Sequence, residues 1–186
     1  MQESIDPYEP PKSNVVEPVE NTHEAYFFTT SALKLALMSI STFGVYELYW
    51  FYKNWVLIKE RTGQNIMPFW RTVFAPFWAY SCFRHIKIAA DENAVPESLS
   101  IGLLATAYIL LYGLWQLPDP YWLVSTFSFA LLIPANGVAL SVNKQVVSNF
   151  ENNGTFSGWN WFAVVIGGML FVLSIVGTFM PEVPHS

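Results

Sequence analysis

Glu47 is the residue whose type and surroundings most invite chemistry. It lies in "STFGVYELYWFYKNW" (Ser41–Trp55), where seven aromatic side chains share fifteen positions with one carboxylate. On a helix its neighbours three and four residues away are Phe43, Gly44, Trp50 and Phe51, so it has no local cation. A carboxylate among rings needs a cation from elsewhere, or it holds a proton. Suppose the helix carrying Glu47 folds back on the next one about a turn near residue 64 or 65. Glu47 then meets the level of Cys82 to His85, and Arg71 meets Ile58 to Glu60. The expectation is a structural ion pair of Glu47 with Arg84 or His85, with Arg71 left to Glu60. A proton or ion path through Glu47 is the alternative.

Other reactive types are scattered. Cys82 is the one cysteine, which excludes an internal disulfide and reads as a small packed side chain. His23 and Glu24 lie near the start, His85 and His185 far apart, and no His-x-x-x-His pair occurs. Neither Gly-x-Ser-x-Gly nor a phosphate loop is present. No catalytic residue, cofactor or metal is expected, and the chain is not read as an enzyme. Asn153-Gly154-Thr155 matches a glycosylation sequon but reads as a turn between helices.

The elements that would hold these residues read as membrane helices. The chain has 186 residues, 53% hydrophobic, 17% aromatic and only 12% charged. That charged fraction is about half of what soluble domains carry. Mean hydropathy is +0.32. Six of the fourteen acidic residues fall in the first 24 positions, so the net charge of −5 belongs mostly to the N-terminus. A nucleic-acid footprint is excluded. Residues 1–28 read as a disordered acidic tail without the basic start and early apolar run of a secretory signal. Internal segments must then direct insertion. A single helical membrane domain over 29–181 and a short tail at 182–186 complete the chain.

Three runs carry no charge: 98–117, 121–142 and 158–180, of 20, 22 and 23 residues. Each reaches about 30 Å as a helix, the thickness of a bilayer core. Pro118-Asp119-Pro120 turns the first two into a hairpin. Trp115, Tyr121, Trp122, Trp159 and Trp161 lie near span ends, as an interfacial belt does. Pro134 to Gly137 interrupts the second run, as a packed kink or as a break lining a transport site. Ala163 and Gly167 have the spacing of a close helix contact. The fold class is an all-α integral membrane protein with three clear spanning helices.

The first third adds a helix-Gly-helix element over about 31–55, bent near Gly44, either spanning or re-entrant. Tyr46, Tyr49, Trp50, Phe51, Tyr52 and Trp55 are expected to anchor it at the interface and pack it, with a ligand cage as the alternative. A helix over 68–91 starts at Pro68, and only twelve residues separate Arg71 from Arg84, too few to cross. Arg84, Lys87 and Asp91 share a face, so this helix is amphipathic or re-entrant. Lys53, Lys59, Arg61, Arg71, Arg84, Lys87 and Lys144 then lie on one side, the cytoplasmic one. A re-entrant 31–61 adds Lys12 and Lys34 to that side and is favoured.

"LKLALMSISTFGVYELYWFYKNW" followed by "IMPFWRTVF" resembles a family of bacterial multi-pass inner-membrane proteins of unknown function. The family shares a Thr-x-Gly-x-Tyr…Tyr-Trp-Phe-Tyr-Lys signature, matched here by Thr42, Gly44, Tyr46, Tyr49, Trp50, Phe51, Tyr52 and Lys53, with Pro68 and Arg71 beyond. "GWNW" (Gly158–Trp161) is similar as well. The resemblance implies the bacterial inner membrane and brings no activity. The function expected is a small interaction or scaffold subunit, with the lipid bilayer and a membrane protein or second copy as partners and no nucleic acid. The alternative is a transporter, channel or lipid-handling protein using Glu47 and the Pro134–Gly137 break.

Overall fold

The computed structural model describes residues 25–180. Most of the acidic tail and the 182–186 tail lie outside them. Every regular element described is helical: α1 (Ala32–Ser41), α2 (Val45–Thr62), α3 (Pro68–Val73), α4 (Ala75–Glu92), α5 (Ile101–Gly113), α6 (Leu132–Val146) and α7 (Gly158–Thr178). A 3-10 turn, Leu114–Gln116, extends α5, and a 3-10 helix, Tyr121–Leu131, leads into α6. Two segments, Tyr121–Val146 and Gly158–Thr178, are long and apolar enough to cross a membrane. The expected third span, 98–117, starts late. Glu97 pins the preceding loop by accepting from Lys87 Nζ and the Leu99 N–H. Helix therefore begins at Ile101 and, with its 3-10 turn, reaches about 25 Å.

The helix-Gly-helix element forms. Ser31 caps α1 by accepting the Lys34 N–H at 3.2 Å. Phe43 and Gly44 then take left-handed backbone, with φ of 51° and 83°, which ends α1 and suits glycine. Thr42 Oγ1 accepts the Tyr46 N–H at 3.0 Å and starts α2.

α7 lies along this hairpin and measures how deep it goes. Ser31 touches Gly154 just before α7, Ser41 meets Gly167, and Phe43 packs edge-on against Phe171 at 5.6 Å. At 1.5 Å per residue the Gly44 turn is level with a point about 14–20 Å along α7, which is about 32 Å long. The α1–α2 hairpin thus enters and leaves at one end of the bundle and turns inside it. The α5–α6 hairpin goes further. Beyond its Pro118–Pro120 turn, Trp122 Nε1 donates to Thr178 Oγ1 at 3.3 Å, beside the end of α7.

Segment 25–31 was expected to belong partly to the tail, but Phe27 is fully buried. Its buried backbone needs partners, and three asparagines supply them. Asn143 accepts the Phe27 N–H at 3.0 Å and donates to the Phe27 carbonyl at 2.7 Å. Asn54 does the same for Phe28, both at 3.1 Å. Asn136 does so for Thr30, at 3.1 and 2.7 Å, and also accepts Trp50 Nε1 at 3.0 Å. These amides stand in for a neighbouring β-strand.

Two expectations fail at prolines. The helix over 68–91 is broken at Phe74, because Pro76 has no N–H for the Thr72 carbonyl and its ring crowds that group. α4 keeps an amphipathic pattern, burying Ala75, Ala79, Cys82, Phe83, Ile86, Ala89 and Ala90. The break re-aims it. Phe51 packs on Phe83 and Trp55 on His85, so residue numbers rise together along α2 and α4. The expected antiparallel fold-back about residue 64 or 65 forms over α3, whose Arg71 reaches Trp55, but does not continue along α4. Pro134–Gly137, by contrast, breaks nothing: α6 runs through it. Pro134 sits in the first turn of α6, where a missing N–H is tolerated. The irregular stretch is the 3-10 helix before it.

Candidate functional site

α2 buries Tyr46, Glu47, Trp50, Phe51, Asn54, Trp55 and Ile58, one helical face toward the core. Trp50 and Trp55 are fully buried, and Tyr46 nearly so. Tyr49 and Tyr52, on the other side of α2, remain 46% and 41% exposed. The period of 3.6 decides this split, and the density of rings had hidden it.

Glu47 is 2% exposed. Its Oε1 accepts the Ser128 hydroxyl at 2.8 Å. The Tyr108 hydroxyl lies beside the same carboxylate, fully buried and without a hydrogen bond of good geometry. Neither Arg84, His85 nor Arg71 reaches Glu47. The only ion pair among the described residues is Lys87 with Glu97. The parallel course of α2 and α4 is the reason, since it keeps the level of Arg84 and His85 above Glu47. Arg84 points outward and exposed. His85 packs edge-on against Trp55, with ring centroids 6.0 Å apart. Arg71 lies between Trp55 and Trp78, its guanidinium 4.5 and 4.3 Å from their ring centres, and not on Glu60. Cation–π stacking replaces the expected pairs.

Below the Gly44 turn Glu47 lines a cavity of about 360 Å³, in the size range of small-ligand sites. Phe43, Gly44, Val45 and Leu48 close it above, and Tyr112 and Trp115 come from α5 and its 3-10 turn. Trp122, Ser125, Thr126 and Ser128 come from the 3-10 helix. That helix has three residues per turn, so side chains at i and i+3 eclipse. Trp122, Ser125 and Ser128 therefore stand in one row facing Glu47. An α-helix would have rotated the row away. Ser125 and Thr126 hydroxyls donate to the carbonyls of Trp122 and Leu123 at 2.7 and 2.6 Å, local bonds that compete with α-helical ones.

The site is thus a buried carboxylate, a hydroxyl row and four rings. Its buried acid has a hydroxyl partner and no cation among the described residues. Among them, no three His, Cys, Asp or Glu side chains come together as metal ligands. Residue type and spacing single out Glu47 but not Ser128, Tyr108 or the asparagines. A signal for the asparagines was present: Asn136 and Asn143 are amide side chains two helical turns apart in a run free of charge. No protein-family profile, curated protein or solved structure matches this chain.

Proposed function

We propose that the chain is a multi-pass protein of the bacterial inner membrane that binds an organic cation in the Glu47 cavity, in a carrier or lipid-handling role. The observation that carries this reading is Glu47 itself. A carboxylate this buried, with one hydroxyl donor and no cation, is compensated when a positive group enters the cavity. Phe43, Tyr112, Trp115 and Trp122 present ring faces and edges there, the surroundings that favour alkylammonium groups. In this reading α7 and Tyr121–Val146 span. α5 crosses with its 3-10 turn, and α1–α2 is re-entrant, with the basic residues cytoplasmic.

Choline and its uncharged isostere 3,3-dimethylbutan-1-ol test the proposal on purified protein. Tryptophan fluorescence should change saturably with choline, hardly with the alcohol, and with neither in Glu47→Gln. An equal response to both compounds would defeat the reading. An interaction-subunit role is the second reading, favoured by α7, which buries none of its residues. A stoichiometric partner copurifying in mild detergent, and lost when the exposed face of α7 is altered, is its test.

A further inference from the structure

On the other flank of the first turn of α2, a second cavity of about 350 Å³ opens beside the start of α7. Lys34, Tyr46, Tyr49, Asn153, Ser157 and Asn160 line it. Lys34 is 2% exposed. Its ammonium donates to Asn153 Oδ1 at 2.8 Å and the Thr155 carbonyl at 2.7 Å. The Asn160 amide oxygen, in the orientation that satisfies its neighbours, lies 3.0 Å from it. All three acceptors are neutral, so the buried charge is positioned but not neutralised by any described residue. Two further features face the same space. Ser157 caps the 21-residue α7 there, and its hydroxyl accepts the Asn160 N–H. A helix start of this length favours anions. Tyr46 is 7% exposed, yet its hydroxyl has no hydrogen-bond partner. Thr30 Oγ1, which donates to the Asn153 carbonyl at 2.8 Å, lies beside it without a hydrogen bond of good geometry.

From this combination we infer that the cavity binds a phosphate group, held by the charge of Lys34, the start of α7 and a hydrogen bond from the Tyr46 hydroxyl. The group belongs either to a phospholipid headgroup or to a free phosphate compound. The placing suits a headgroup, since Lys34 and the start of α7 lie at the end of the bundle where α1 and α2 enter and leave. This inference stands apart from the cation reading, because Glu47 points into the other cavity.

The test is thermal stabilisation of the full-length protein in detergent by inorganic phosphate, by dioctanoyl phosphatidic acid and by dioctanoylglycerol. Stabilisation by both phosphate probes, and not by the glyceride, identifies a site for the phosphate group alone. Stabilisation by the phosphatidic acid only identifies a lipid site. Tyr46→Phe is the deciding variant, because it keeps the ring and removes a hydroxyl that has no partner, so folding is preserved. It should weaken phosphate binding roughly tenfold or more, the effect of one hydrogen bond to a charged group. Lys34→Gln should abolish binding, and if it does not fold the Tyr46→Phe comparison still decides. No stabilisation by either phosphate probe, or unchanged affinity in Tyr46→Phe, would overturn the inference.

Discussion

Gly167 is where a single methyl group should do the most damage. A Cβ built there lies 2.0 Å from the Ser41 carbonyl oxygen and 2.8 Å from the carbonyl carbon. The obstacle is backbone, so no side chain can swing aside. α1 and α7 would have to part by about 1.5 Å to restore an ordinary contact. α1 cannot follow freely, since the segment before it is clamped by Asn54, Asn136 and Asn143. Overpacking costs about 1–3 kcal/mol when side chains can adjust. Here the upper figure applies, so Gly167→Ala should cost about 3 kcal/mol or more. For a chain of this size that is roughly 6–12 °C in melting temperature. Gly168 is the internal control. It is on the same helix, one residue on, with nothing within 4 Å of its Cβ position. Gly168→Ala should be neutral or stabilising by about 0.5–1 kcal/mol, because alanine is the better helix former. The assay is intrinsic-fluorescence melting of both variants in the same detergent. Equal melting temperatures would refute the close packing of α1 on α7, and with it the depth assigned to the Gly44 turn.

Asn136→Ala should cost about 3–5 kcal/mol, since it strands the Thr30 N–H and carbonyl and the Trp50 indole N–H together; folded yield and melting temperature report it. Arg84→Ala should change stability by less than about 0.5 kcal/mol, and its effect should add to that of Glu47→Ala, because the two groups do not meet; a measurable coupling energy in the double mutant would restore the ion pair. Single cysteines at Gln64 and Asn93 in a Cys82→Ser background should both resist a membrane-impermeant thiol reagent in intact cells, while one at Asp119 reacts; labelling of one of the first two and not the other would put the α3–α4 pair across the membrane. The hydrogen bond from Lys87 holds the Glu97 carboxyl below its ordinary value of 4.5. A depressed carboxylate stabilises the fold above its unfolded pKa and loses that contribution as pH falls through the folded one. Protection of the 93–100 loop amides, the intrinsic exchange rate divided by the observed one, should therefore be high at neutral pH and fall as pH drops below the ordinary value of 4.5. Glu97→Gln should already show low protection at pH 7, and a protection factor that does not change with pH in the native protein would rule this out.

By itself the sequence determined the features set by local composition and period. Low charge and long apolar runs dictate helices that bury their backbone bonds internally. Gly44 marks a left-handed turn because few other residues adopt that backbone at low cost. The small residue at Gly167 announces a close contact. Glu47, a carboxylate ringed by aromatics with no cation within a helical turn, was legible as the residue needing an explanation. The tertiary structure alone decided what answers it. Partner choice depends on the direction in which α4 runs past α2, and a break at Phe74 sets that direction through one missing N–H at Pro76. The Ser128 partnership depends on a 3-10 rather than an α-helical period over Tyr121–Leu131, a difference of about 0.6 residue per turn that composition does not encode. The three asparagines bond residues 26 to 116 positions away. No local pattern can specify such bonds, because each is made only once the helices have packed and the buried backbone of Phe27 to Thr30 must be satisfied.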